Sequence, residues 1–179
     1  FYGMTLHVDN HVLIPRDDTC AVTALAIRQG LFLNSAPRIL DLCTGSGCIG
    51  LAIANRVKDA KVTLADVSRE ALAVAKKNIT SQKLSGRVTC MQVDALQEPT
   101  AFLGKFDMIV SNPPYINSEE MAQLMDEVRQ EPELALFGGE DGLDFYRRIA
   151  REAPMHLYEK GRLVLECGDD QPAAIAGLL

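Results

Sequence analysis

Four short stretches of the chain carry side chains whose types and spacing suit chemistry. Asp41-Leu42-Cys43-Thr44-Gly45-Ser46-Gly47 is a glycine-rich turn with an acid at its start. Glycines let a backbone come close to a ligand, and a helix opening there offers free N–H groups. A pyrophosphate loop would read GxGxxG. Read from Cys43 this one is CxGxG, and the acid two residues earlier suits a cationic ligand better than a phosphate. Asp66, followed by Val67, is placed to accept from both hydroxyls of a ribose, and Asp94, followed by Ala95, from an adenine amino group. Asn112-Pro113-Pro114-Tyr115 sets an amide, two rigid rings and an aromatic side by side. Singly, each stretch has a plainer reading: a tight strand–helix turn, a capping aspartate beside Ser68, a loop aspartate, a proline-rich strand terminator. In conjunction, at the ends of successive strands, they outline an adenosine-shaped groove with an acidic wall.

The elements that must position these residues follow from hydrophobic patterning. Residues 39–42, 62–66, 88–93 and 106–110 are short apolar blocks that read as buried strands, with a fifth at 162–166. Between them Ile49, Ala52, Ile53 and Val57 recur at helical spacing, as do Leu72, Ala75, Lys76 and Ile79 behind a Ser68 cap. Strand–helix alternation of this kind predicts an α/β fold with a mostly parallel, doubly covered sheet. The two prolines after Val110 cannot donate to a ladder, so the fourth strand stops there. Its carboxyl end lies on the edge where open α/β sheets bind ligands.

Upstream, residues 2–15 alternate apolar and polar positions around Asp9-Asn10, which predicts a β-hairpin. Arg16-Asp17-Asp18-Thr19 offers caps for a helix through Ala21, Leu25 and Ala26 that ends at Gly30, with 34–37 as the loop beyond. Residues 1–37 are thus expected to lead into a catalytic domain over 38–179. Residues 119–129 read as helix, 131–142 as loop, and 146–157 as a helix that Pro154 breaks early. A further helix begins at Pro172, and the chain is expected to be a fragment of a longer protein.

At 179 residues the chain is long enough for one domain that buries roughly 70% of its unfolded surface. Its longest apolar runs fall far short of the ~20 residues of a membrane span, and no signal-peptide pattern opens it. Five cysteines without a CxxC pair read as free thiols in a reducing cytosol rather than a disulfide or metal set. A formal charge of −6 argues against a nucleic-acid partner, since phosphate contacts need Lys and Arg. His7, His11 and His156 sit in no motif, and Glu119, Glu120, Asp126 and Glu127 read as a solvated helix face. Glu166, ending the fifth strand, is open between touching the site and capping the sheet.

The glycine turn, Asp66 and Asp94 together resemble the class I S-adenosylmethionine-dependent methyltransferases, with Cys43 where their loop usually begins with glycine. That resemblance implies a Rossmann-like fold and S-adenosyl-L-methionine bound by Asp41, Cys43, Thr44, Gly45, Ser46, Gly47, Asp66, Val67, Asp94, Ala95 and Asn112. A cysteine at position 43 must avoid positive φ or accept strain. Asn112-Pro113-Pro114-Tyr115 is similar to the motif that presents a planar nitrogen to the cofactor methyl, a motif shared with N6-adenine methyltransferases of DNA and RNA. Two further stretches, Val12-Leu13-Ile14-Pro15-Arg16 and residues 129–147, resemble the glutamine N5-methyltransferases of peptide chain release factors. That family implies Arg16, Glu131 and Pro132, with Asn112, Pro113, Pro114 and Tyr115, as substrate-binding residues, and release factors as cytoplasmic partners. Close relatives methylate a ribosomal protein, and the wording of residues 43–48 is similar to theirs. Two departures fall where the family reads Arg-Pro-x-Thr-Glu: Asp17 stands for proline and Cys20 for glutamate.

Overall fold

A computed structural model of the chain describes residues 1–33, 35–97, 103–125 and 128–179. The sheet is assembled from strands β1 (Arg38–Leu42), β2 (Lys61–Asp66), β3 (Val88–Gln92), β4 (Phe106–Ser111) and β5 (Leu157–Leu165), in the spatial order β3-β2-β1-β4-β5. Every pairing is parallel. The central strands are apolar on both sides because both faces are covered. Ile39, Met108 and Val110 point into a core shared with α1 (Thr19–Leu31), α2 (Cys48–Arg56) and α3 (Arg69–Ser81). Leu40, Leu42, Phe106 and Ile109 point into a second core closed by Ile149 and Ala153 of α5 (Asp144–His156). The chain steps outward from β1 to β2 to β3, then returns to the other side of β1 with β4, which makes the boundary between β1 and β4 the topological switch point.

The five strands and the α2 and α3 helices stand where the patterning predicts them. Ser68 caps α3 through its side chain, which accepts from Ala71 N. In β5 the regular ladder runs from Arg162 to Leu165 against Met108 to Ser111, with an irregular register before it. The short helix α6 (Pro172–Leu178) also forms, and Glu133–Ala135 of the expected loop makes one 3-10 turn.

Four expectations are overturned. The N-terminal β-hairpin is absent: residues 1–18 contain no strand. The buried Asn78 of α3 takes the place of a partner strand. Its Oδ1 accepts from His7 N at 2.6 Å and its Nδ2 donates to His7 O at 2.9 Å, while Gln82 Nε2 bonds Thr5 O. A side chain of amide chemistry satisfies an extended backbone as well as another strand does. Asp9 still makes the expected turn, accepting from the backbone of Val12 and His11. Secondly, Asp18 has helical φ and ψ and makes no side-chain cap, and α1 runs one residue past Gly30. Thirdly, in place of the helix expected over 119–129 there is α4 (Ser118–Gln123), opened by an Asn117–Glu120 capping box, and a separate 3-10 turn at Val128–Gln130. The α4 helix buries no residue, and Leu124 turns extended, so nothing apolar extends it; Asp126 and Glu127 lie outside the described residues, as does Asn34 of the loop before β1. Finally, α5 continues through Pro154 to His156. A proline in the last turn removes one bond from a helix that is already ending.

Candidate active site

Chains leaving β1 and β4 diverge, and the crevice between them is where parallel open sheets take ligands. Leu42 and Ser111 end these strands as register partners. Ser111 Oγ donates to Leu42 O at 2.6 Å, so the glycine turn and Asn112 emerge side by side. A groove of about 280 Å³ runs from this crevice across the ends of β2 and β3.

Cys43, Thr44, Gly45, Ser46, Asp66, Val67, Asp94, Ala95 and Asn112 line the groove. Cys43 adopts φ +58 and so accepts the backbone strain, a cost of about 1–2 kcal/mol for a residue with a Cβ. Gly45, at φ +53, faces open space where a Cβ would stand. Asp66 pins the turn to the end of β2: its Oδ2 accepts from Gly45 N at 2.9 Å and its Oδ1 from Ser68 N at 3.0 Å. Burial raises its pKa, and the hydrogen bonds from Ser68, Gly45 and Val67 oppose that rise. Asp94 Oδ1 accepts from Leu96 N at 2.9 Å. Ser46 Oγ is buried with no hydrogen-bond partner among the described residues.

Asp41 and Gly47 stand behind this lining. Asp41 is fully buried, and its Oδ2 accepts from Thr44 Oγ1 at 2.6 Å and from Gly50 N at 2.9 Å. It therefore ties the turn to the first turn of α2. Burial pushes its carboxyl up to about 7 against the lowering bonds of Thr44 and Gly50, with the nearby Asp66 charge adding to the rise. Gly47 sits at the start of α2 with its Cβ position against Leu64 and Leu51.

Beyond β4, Asn112 and Pro114 face the groove, whereas Pro113 is buried and Tyr115 is half-buried outside the lining. The backbone here is braced from downstream. Gln171 Nε2 donates to Tyr115 O at 3.0 Å, and Ile116 pairs with the chain around Leu136 and Gly138. Gly142, at φ +74, lies flat against Tyr115: a Cβ there would collide with Tyr115 O and come within 2.7 Å of Gln171 Nε2. Arg16 and Glu131 engage each other at 2.7 Å rather than lining the groove, with Glu131 only 8% exposed. Their ion pair ties the N-terminal segment to the loop after Tyr115, and Pro132 beside it does line the groove.

Several lining residues escape sequence reasoning. Asn10, His11, Val12, Leu13 and Pro15 form a wall that the hairpin expectation hid, and Thr19 and Phe145 complete it. Asn78, which also donates to Ser46 O at 2.9 Å, joins that wall to the glycine turn. Its signal was an amide at a core position of an otherwise apolar helix face.

Residues 23–140 match the methyltransferase small domain family. The chain belongs to it. Within this family's reach, a protein of Clostridium acetobutylicum named release factor glutamine methyltransferase is 43% identical over 100% of this chain and 63% of its own length. A protein of Francisella tularensis named ribosomal protein uL3 glutamine methyltransferase is 41% identical over 97% of this chain and 55% of its own. This methyltransferase small domain chain thus spans about three-fifths of the length of the curated relatives it matches. The crystal structure of a methyltransferase from Pyrococcus furiosus superposes with a TM-score of 0.67 at 21% identity, covering 98% of this chain and 76% of that one. The fold is the Rossmann-like one of class I methyltransferases. Among the described residues no helix is long and apolar enough to cross a membrane.

Proposed function

We propose that this protein transfers the methyl group of S-adenosyl-L-methionine to the side-chain amide nitrogen (N5) of the glutamine in the Gly-Gly-Gln motif of peptide chain release factors, leaving S-adenosyl-L-homocysteine. The observation that carries the chemistry is Asn112 emerging beside the glycine turn at the switch point. The groove residues fit the cofactor. Gly45 leaves open space, Ser46 Oγ is an unpartnered buried hydroxyl, and Asp66 and Asp94 supply acceptors at the groove wall. When bound there, the cofactor supplies an electrophilic methyl on a sulfonium.

The protein's task is to make an amide nitrogen reactive. Its lone pair is delocalised into the carbonyl, so a bare glutamine is a poor nucleophile. Asn112 Oδ1 and the Pro113 carbonyl each accept one N–H of the substrate amide, and the lone pair is then turned toward the groove. Pro114, on the groove lining, bounds the planar group, and the next residue, Tyr115, is held in place by Gln171. The amide nitrogen that gains the methyl gives up one N–H proton, along the hydrogen bond that already holds it, to water; orientation and preorganised dipoles supply the rate without a strong base.

Support for a release factor as substrate is the 43% identity to a protein named for that activity and the wording of residues 12–16 and 129–147. The cytoplasm, where translation terminates, is then the site of action. A second reading, methylation of a ribosomal protein glutamine, draws on the Francisella relative. The test offers full-length protein and methyl-labelled cofactor three substrates in parallel: a release factor, ribosomal protein uL3 and an adenine-containing oligonucleotide. Label on the Gly-Gly-Gln glutamine is expected. Label on uL3 alone establishes the second reading, and label only on the oligonucleotide overturns both.

A further inference from the structure

Behind Asn112, two polar side chains from distant parts of the chain meet. Thr19 opens α1 and is 2% exposed; Glu166 directly follows β5. Asn112 Nδ2 donates to Thr19 Oγ1 at 3.4 Å, and Thr19 Oγ1 donates to Glu166 Oε1 at 3.3 Å. The Glu166 backbone is fixed on both sides, its N–H donating to Ser111 O and its carbonyl accepting from Tyr146 Oη. Glu166 makes no salt bridge among the described residues, and its Oε2 is buried without a hydrogen-bond partner among them. A partly buried carboxylate without a cation costs stability, which makes it a candidate for a functional role.

Proton inventory decides what this row of groups does. A hydroxyl carries one proton, and an ionised carboxylate only accepts. Thr19 must give its proton to Glu166, so toward Asn112 it has lone pairs alone. Only the nitrogen end of the Asn112 amide satisfies them. The oxygen end is thereby left for the substrate side. We propose that Glu166, acting through Thr19, is a positioning residue that sets which end of the Asn112 amide faces the groove. The effect on turnover rests on the reading of Asn112 as acceptor for a substrate amide; the orientation itself does not.

The titratable and charged groups facing Glu166 are Asp18 just before α1, Cys48 of α2, Tyr115, Tyr146 of α5 and Cys167. Burial raises the Glu166 pKa, Thr19 lowers it, Asp18 raises it and Asn112 lowers it, with a net rise. Once protonated, Glu166 can donate to Thr19, whose own proton can then turn to an amide oxygen. The constraint therefore relaxes on acidification, at a higher pH than an ordinary glutamate would give.

The test reads the Asn112 side-chain NH₂ directly, by nitrogen-15 NMR of the full-length protein, beside steady-state kinetics with the release factor. In the native protein the NH₂ pair is expected to exchange slowly with water. Thr19→Val and the isosteric Glu166→Gln are expected to speed that exchange and lower kcat roughly tenfold or more, the scale of one misplaced polar contact. KM for the cofactor and the unfolding midpoint of Glu166→Gln should stay near native. Thr19→Ser, which keeps the hydroxyl, should restore slow exchange and most of the turnover. Unchanged NH₂ exchange in both Thr19→Val and Glu166→Gln overturns the proposal, as does native kcat in variants whose exchange has changed. Altered exchange together with a native protein that methylates no substrate upholds the orientation and instead defeats the proposed function.

Discussion

The two halves of the groove are built in different ways. The half over β1, β2 and β3 is built mainly of strand ends and the turns that leave them, and most of its bonds join neighbours on the sheet edge: Asp66 to Gly45 and Ser68, Asp41 to Thr44 and Gly50, with Asn78 of α3 adding a longer one to Ser46. The half around Asn112 is held by groups from far away in the chain. Thr19 reaches it from α1, Gln171 from the start of α6, and Gly142 from the loop before α5. The bonds of the first half thus link adjacent strand ends, while those around Asn112, where the proposed function places the substrate nitrogen, depend on long-range packing. The contrast fits the general tendency of loops on a rigid scaffold to carry specificity.

Four measurements can break or sharpen this comparison. The largest expected effect is on the distant half. Asn112→Ala should lower kcat by roughly 10²–10³, about 3–4 kcal/mol in activation free energy, the scale for one preorganised polar contact. Cofactor affinity measured by calorimetry should change little. Equal losses in both quantities would erase the division between the halves.

Next comes Asp41, in the local half. Its carboxyl is raised to about 7 by burial, against 3.8 for the free group. Between those values the unfolded chain has released the proton while the folded chain retains it, so folding stability falls as pH rises. The full effect is about 4 kcal/mol across that window. Asp41→Asn keeps an oxygen for Thr44 and Gly50 and should flatten the pH dependence of the urea midpoint between about 4 and 7. An unchanged slope would show that Asp41 does not carry it.

Gly142→Ala should cost about 1–3 kcal/mol through a strained left-handed residue pushed against Tyr115. It should lower kcat more than cofactor affinity. Gly45→Ala, whose Cβ enters open groove rather than backbone, should do the opposite. If the two variants behave alike, glycine plays the same part in both halves. The smallest effect is expected for Asn78→Ala. Loss of its bonds to His7 and Ser46 should lower stability by about 1–2 kcal/mol and speed amide exchange in residues 4–13.

Much of this was legible before the fold. Strand ends fall at Leu42, Asp66, Gln92 and Ser111, within a residue or two of the positions that apolar patterning marks, because buried parallel strands are continuous apolar runs. The groove wall of Cys43, Thr44, Gly45, Ser46, Asp66, Val67, Asp94 and Ala95 follows from those ends. What escaped was the N-terminal wall. Alternation in residues 2–15 says that one side faces inward, as the buried Met4 and Val12 do, but not whether the backbone partner is a strand or the side chain of Asn78. Arg16 and Glu131 were recognisable as a related pair of stretches; their ion pair with each other, rather than a place on the groove lining, needed coordinates.

By itself, then, the sequence determined the order of strands and helices, the glycine turn with its Asp41, the acids Asp66 and Asp94 at strand ends and the Asn112-Pro113-Pro114-Tyr115 terminator, since periodicity, turn chemistry and missing N–H groups act over a few residues. Only the tertiary structure decided that β4 returns beside β1, so that Asn112 meets the glycine turn, and that Thr19, Glu166, Gly142 and Gln171 converge on it. The reason is physical: these contacts join residues up to 147 positions apart, and such pairs are chosen by how the layers pack, not by any rule that a local stretch of chain can express.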